Sequence, residues 1–220
     1  MTDKVISFGA SEGFGAFAGW EAQSMSKPTS TKRAVALDDV GNEVADNTFD
    51  TRTDITCTYK CVNDTNTIPD TIGAIINGYV LTGISIQTTA EDFATMTLTG
   101  HNHAENAHFS LQCVAHGITL AKCFGCTDFS GDSAGTNDSP ISSSCDITIE
   151  HADQNDFEGN HLVGENYHAK VEIKTTYAGD HTPVFTGYDI TVDSETDENT
   201  GFTKTEVTGQ KALGALGAPA

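Results

Sequence analysis

The sequence predicts an all-β fold, an antiparallel β-sandwich or partial barrel with an extended N-terminal arm and long loops. Two observations predict it. Apolar residues recur at every second position in many separate runs, the period at which strand side chains alternate between two faces. Between the runs lie joints rich in Gly, Asp, Asn, Thr and Pro, residues that turns favour. A length of 220 residues with 37% hydrophobic content suits one β domain with extensions. The expected division is an arm over 1–33, a β core over 34–211 and a tail over 212–220.

The opening run Phe8-Gly-Ala-Ser-Glu-Gly-Phe-Gly-Ala-Phe-Ala-Gly-Trp20 spaces aromatics with glycines and has neither a strand nor a helix period. It is read as an arm that packs on its own domain or on a neighbouring subunit, with Phe8, Phe14, Phe17 and Trp20 assigned to the subunit contact. Alternation then begins. Ile55, Cys57, Tyr59 and Cys61 occupy every second position, as do Val80, Thr82, Ile84 and Ile86. Further ladders run through Met96 and Leu98, from Phe109 to Ala115, from Cys145 to Ile149, from Tyr167 to Tyr177 and from Val184 to Val192. Residues 193–201 are expected to be an acidic turn, with a last strand starting near Phe202. Joints at 62–72 and 127–144 are the long loops.

Thirty-one acidic residues against eleven basic ones give a formal charge of −20. Binding to phosphates needs clustered Lys and Arg, and the longest basic run is the pair Lys32-Arg33, so a sequence-reading nucleic-acid binder is excluded. Repulsion of this size makes self-association sensitive to salt. No stretch is long and apolar enough to cross a bilayer as a helix, so no membrane partner is expected. The N-terminus lacks the basic start and apolar run of a signal peptide. Maturation in a cytoplasm follows as an expectation, and with it six reduced cysteines. Cys57, Cys61, Cys113 and Cys145 fall on apolar strand faces, where a thiol behaves as a small hydrophobe.

No reaction is legible. Gly131-Asp132-Ser133-Ala134-Gly135 fits the G-x-S-x-G pattern, but a nucleophile elbow needs a strand before it and a helix after it, and turn residues surround this one. The chain is therefore read as a non-enzyme. His101-Asn-His103 places two imidazoles on one strand face, with His108 and His116 nearby, and Cys123-Phe-Gly-Cys126 adds a C-x-x-C. These are ligand types that Zn²⁺ takes. A second C-x-x-C is missing, so core thiols and surface histidines are expected instead of a site built from His101, His103, Cys123 and Cys126. No cofactor is expected. The acidic segments 150–158 and 193–198 lack the EF-hand spacing and are read as solvated turns.

Two Thr-rich segments, Asn77 to His101 and Gly187 to Thr205, pair strands around polar turns. In them the chain resembles virion structural proteins, most of all the major tail tube proteins of tailed bacteriophages. The resemblance implies a β-sandwich or partial barrel assembled with copies of itself into rings, usually hexameric, that stack into a tube. It also implies contacts with other virion proteins, assembly in the host cytoplasm, and DNA passing without sequence-specific binding through an acidic lumen. The helix that usually packs on that sandwich has no counterpart in the pattern. A capsid decoration, neck or fibre protein, or a carbohydrate-binding or adhesin module, is the alternative.

Overall fold

The computed structural model describes residues 13–103, 113–114, 118–130, 139–179, 185–196 and 203–214. Phe8, His108, His116, Ser133 and Phe202 lie outside them. Among the described residues the chain is all-β, as the alternation predicts, with no helix. Its strands are β1 (Trp20–Ser26), β2 (Thr29–Leu37), β3 (Glu43–Cys61), β4 (Thr71–Ile72), β5 (Ile75–Ile76) and β6 (Tyr79–Thr89). They continue as β7 (Thr95–His103), β8 (Cys113–Val114), β9 (Ser139–Asn155), β10 (His161–Ala178), β11 (Asp189–Thr196) and β12 (Lys204–Ala212). Ten of them form one open sheet in the order β1-β3-β7-β6-β9-β10-β12-β11, with β2 also on β3 and β5 on β6. The small β4–β8 pair stands apart, and every pairing is antiparallel.

One face of this sheet encloses a single core. Ile55, Cys57 and Tyr59 from β3, Ile84 and Ile86 from β6, Met96 and Leu98 from β7, Cys145 and Ile147 from β9, and Val171, Ile173 and Tyr177 from β10 are all buried in it. Each large apolar side chain so buried contributes about 1.5–3 kcal/mol relative to exposure.

The N-terminal boundary differs from the expected one. Residues 20–26 and 29–37 are β1 and β2, both paired to β3, so strand pairing crosses position 33. Phe14 and Trp20 are buried in the chain's own core and Phe17 packs against it, where a subunit contact was expected. The glycines explain the seating. Gly100 faces the Phe14 ring at a distance that leaves no room for a Cβ, while the Tyr59 hydroxyl donates to the Gly15 carbonyl at 3.0 Å. Phe17 meets Tyr59 edge-on at 5.5 Å. Residues 13–20 of the run thus plug one flank of the sheet.

Other boundaries shift too. Asp193 to Thr196, expected in a turn, belong to β11, and β11 starts at Asp189 after a turn at Gly187. Residues 150–155, expected in a solvated turn, are the end of β9. Residues 139–144, expected in a long loop, are its beginning.

Two ribbons extend past the body of the sheet. The β3–β7 pairing ends at Arg52↔His103, after which β3 runs on with β2 alone. The β9–β6 pairing ends at Thr148↔Gly83, after which β9 runs on with β10 alone. Each ribbon carries a bulge at its root containing a residue in the left-handed region, Asp50 (φ 52°) in β3 and His168 (φ 49°) in β10. Bulges bend and twist a ribbon. The tips share one sequence, Asp-x-x-Gly-Asn, at 38–42 and 156–160. In both, the Asp carboxylate accepts from the backbone N–H groups two and four residues on, Val40 and Asn42 in one, Glu158 and Asn160 in the other. Glycine at the fourth position supplies the positive φ, 90° at Gly41 and 89° at Gly159.

Candidate metal centre

β7 pairs with β3 without a register shift, so His101 and His103 fall on the strand face opposite Met96 and Leu98, and both are buried. On β9 the inward set Cys145, Ile147 and Ile149 continues to His151 and Asp153. The bulge at His168 lies beside Ile149 in the pairing, where the β9–β10 ribbon parts from β6. This ribbon comes over the ends of β3 and β7 and adds His161 from β10. Its turn touches the first ribbon, because Gly159 leaves just enough room for the Phe49 ring.

The result is a cluster of four imidazoles around one carboxylate. Asp153 Oδ1 lies 2.6 Å from His151 Nε2, 3.1 Å from His161 Nε2 and 3.2 Å from His103 Nε2. The His101 ring sits 4.4 Å from that of His151, and the His103 ring stacks on that of His161 at 4.0 Å with 10° between planes. One donor atom from each of His101, His103, His151 and Asp153 falls within 4.8 Å of every other. Around them stands a ring of orienting groups. Asn166 Oδ1 is 2.7 Å from His151 Nδ1, Asp50 Oδ1 is 3.3 Å from His103 Nδ1, and Lys32 and Asn155 both reach Asp50 Oδ2. Arg52 Nη1 stands 3.8 Å from Asp153 Oδ2.

Burial first, then the neighbouring Arg52 cation, pushes the His101 imidazole down to about 3. Burial lowers His103 as well, with Asp153 opposing. Both rings are neutral at ordinary pH, and neutral imidazole is the ligand form. Burial works against the Asp153 carboxylate, but His151 and His103 outweigh it and hold the group below its usual range. For Asp50, burial is likewise outweighed, by Lys32 and Asn155. A cleft of about 330 Å³ lined by Lys32, Asp50, Arg52, Asp54, His103 and Asp153 leads to the cluster from solvent.

The cysteines weighed as ligands, and set aside, in the sequence are elsewhere. Cys123 is bonded to Cys61, beside the Lys60↔Thr95 pairing at the far end of β7 from His103. Eight strand residues at about 3.3 Å each separate the two ends by roughly 25 Å. Cys126 contacts Thr88 at the same far end. The set His101, His103, Cys123 and Cys126 therefore does not converge. The disulfide also corrects the expectation of six reduced cysteines. Cys61 and Cys123 share one dry site with their Cα atoms 5.2 Å apart, whereas Cys57 and Cys145 are free and buried as expected. His151 and His161 were not among the sequence candidates, and Asp153 lay in the acidic segment 150–158 that was weighed for Ca²⁺ and set aside as a solvated turn. The signal for His151 and Asp153 was the parity of Cys145, Ile147 and Ile149 carried two steps further.

No protein-family model matches the chain, and no curated protein aligns with it.

Proposed function

We propose that the chain is a structural subunit that assembles with copies of itself, and that its particular role is the tail tube of a virion. The observation that carries this reading is the β2–β3 ribbon. Every residue of β2 and the first six of β3 are exposed, so among the described residues neither face of this part of the ribbon is covered. An isolated two-stranded ribbon is marginal in water and gains stability from a third partner. This ribbon carries apolar side chains for such a partner, with Leu37 61%, Val44 63% and Val40 80% exposed. The second tip adds Phe157, 96% exposed. A second copy is the partner we assign, through ribbons that reach beyond the compact body. An acidic surface suits a conduit for DNA, since a wall of like charge does not hold a polymer with one charge per about 1.7 Å.

Sedimentation and electron microscopy of the purified chain across a salt series test the reading. Rings or stacked tubes are expected, weakened by Val40→Ser with Phe157→Ser while circular dichroism stays that of the folded sheet. A chain that remains monomeric at every ionic strength overturns it. Capsid-bound units or trimers without a tube would favour the decoration or fibre alternative.

A further inference from the structure

We propose that His101, His103, His151 and Asp153 hold one divalent first-row transition ion of the zinc class, clipping β7 to β9 at the mouth where β6 no longer joins them. The inference stands apart from the assembly reading and reverses the expectation that the histidines are unliganded.

Three arguments carry it. The first is donor geometry. Two strands each offer two donors at i and i+2, hence on one face, and the four donor atoms already lie within 4.8 Å of one another. A tetrahedral site with Zn–N and Zn–O near about 2.0–2.2 Å needs them about 3.3–3.6 Å apart, a contraction of little more than about 1 Å from the widest spacing.

The second is convergence on the carboxylate. Asp153 Oδ1 lies 2.6 Å from His151 Nε2, 3.1 Å from His161 Nε2 and 3.2 Å from His103 Nε2, so three imidazole nitrogens crowd one carboxylate oxygen, and imidazole with carboxylate is a donor set that a first-row ion takes.

The third is His103. Its side chain is 1% exposed, and both ring nitrogens lack a hydrogen bond although carboxylate oxygens stand at 3.3 and 3.2 Å. A buried polar side chain with this deficit is costly unless another ligand completes it. Asp50, held by Lys32, stands 3.3 Å from His103 Nδ1, placed to become the carboxylate that supports a ligating ring. Nitrogen-rich donors select Zn²⁺ and its first-row neighbours over Mg²⁺ and Ca²⁺, which need oxygen cages. The cleft beside Asp153 gives the ion a way in, and His161 backs the carboxylate from the other side.

The test uses the full chain stripped with a chelator and titrated with Zn²⁺ by calorimetry and with Co²⁺ by visible absorption. We expect one equivalent bound, an intense d–d band of a low-coordinate Co²⁺ site that Zn²⁺ abolishes, and a rise in Tm on loading. Asp153→Asn and His151→Ala are expected to weaken binding at least about tenfold, while His168→Asn, a histidine outside the cluster, leaves it unchanged. Should a cluster variant fail to fold, the wild-type cobalt spectrum still decides. A folded wild-type chain that takes up no Zn²⁺ or Co²⁺, that binds Ca²⁺ in preference, or whose folded cluster variants bind as tightly as the wild type, overturns the proposal.

Discussion

Gly100 shows how one missing Cβ sets a neighbourhood. An added Cβ would meet the Val80 carbonyl oxygen at 2.0 Å and the Phe14 ring at 2.7 Å, and the carbonyl belongs to backbone that pairs with β7 and cannot retreat. Gly100→Ala is expected to destabilise the fold by about 2–3 kcal/mol, in the range of overpacked cores, read by urea denaturation. Burial pushes the Cys145 thiol well above its usual range. Its thiolate fraction at neutral pH is therefore negligible. Alkylation mapped by mass spectrometry is expected to spare Cys145 until the chain is denatured, and to reach Cys61 and Cys123 only after reduction. Labelling of Cys61 or Cys123 without reductant would contradict the bond between them.

The ribbons and the disulfide belong to the scale of elements. Cys61–Cys123 spans 62 positions and ties the segment after Ile118 to the end of β3, where Cys123 N–H also donates to Asp64 and Ala94 N–H to the Cys123 carbonyl. Loop-closure entropy assigns such a cross-link about 4 kcal/mol, so Cys61→Ser with Cys123→Ser should lower the denaturant midpoint markedly. At the root of the second ribbon His168 holds φ 49° with its side chain mostly exposed. A β-branched residue is strained there. His168→Val should cost about 1–2 kcal/mol while His168→Gly is tolerated, and equal stability of the two variants would show that the bulge is not held.

Legibility followed the presence of a dry face. β6, β7, β9 and β10 announce themselves because Ile84, Leu98, Ile147 and Ile173 alternate with polar neighbours. β2 does not: Thr29-Ser-Thr-Lys-Arg has no buried side to mark, and a strand wet on both faces has no hydrophobic period to detect. The plug around Phe14 was illegible for the opposite reason, since its period is set by the shape of the flank it fills. At the site, His-x-His could be read from β7 alone. Its meeting with His151 and Asp153 depends on a bulge and a crossing of ribbons, which no local pattern encodes.

At the scale of the whole molecule, charge opposes the assembly proposed above. A chain of −20 approaching its copy meets repulsion that falls as the Debye length shrinks below about 10 Å near 0.1 M salt. Assembly is expected to strengthen as salt rises through that range, measured as sedimentation coefficient against ionic strength. Association that weakens steadily with salt would mean that attraction between charges, and not apolar contact, holds the copies together.

The sheet is open, and an open sheet has two different borders. Among the described residues one is made by β1 and β2 along β3, with Glu21, Lys32 and Arg33; the other is β11, which carries Asp189, Asp193 and Glu195 in exposed positions. Each border offers unpaired backbone donors and acceptors to a newcomer. Two β11 borders repel each other through their carboxylates, but the β1–β2 border meeting β11 does not double that charge. Were the proposed copies to join edge to edge, unlike borders would meet with less repulsion than like ones, and the series would have a front and a back.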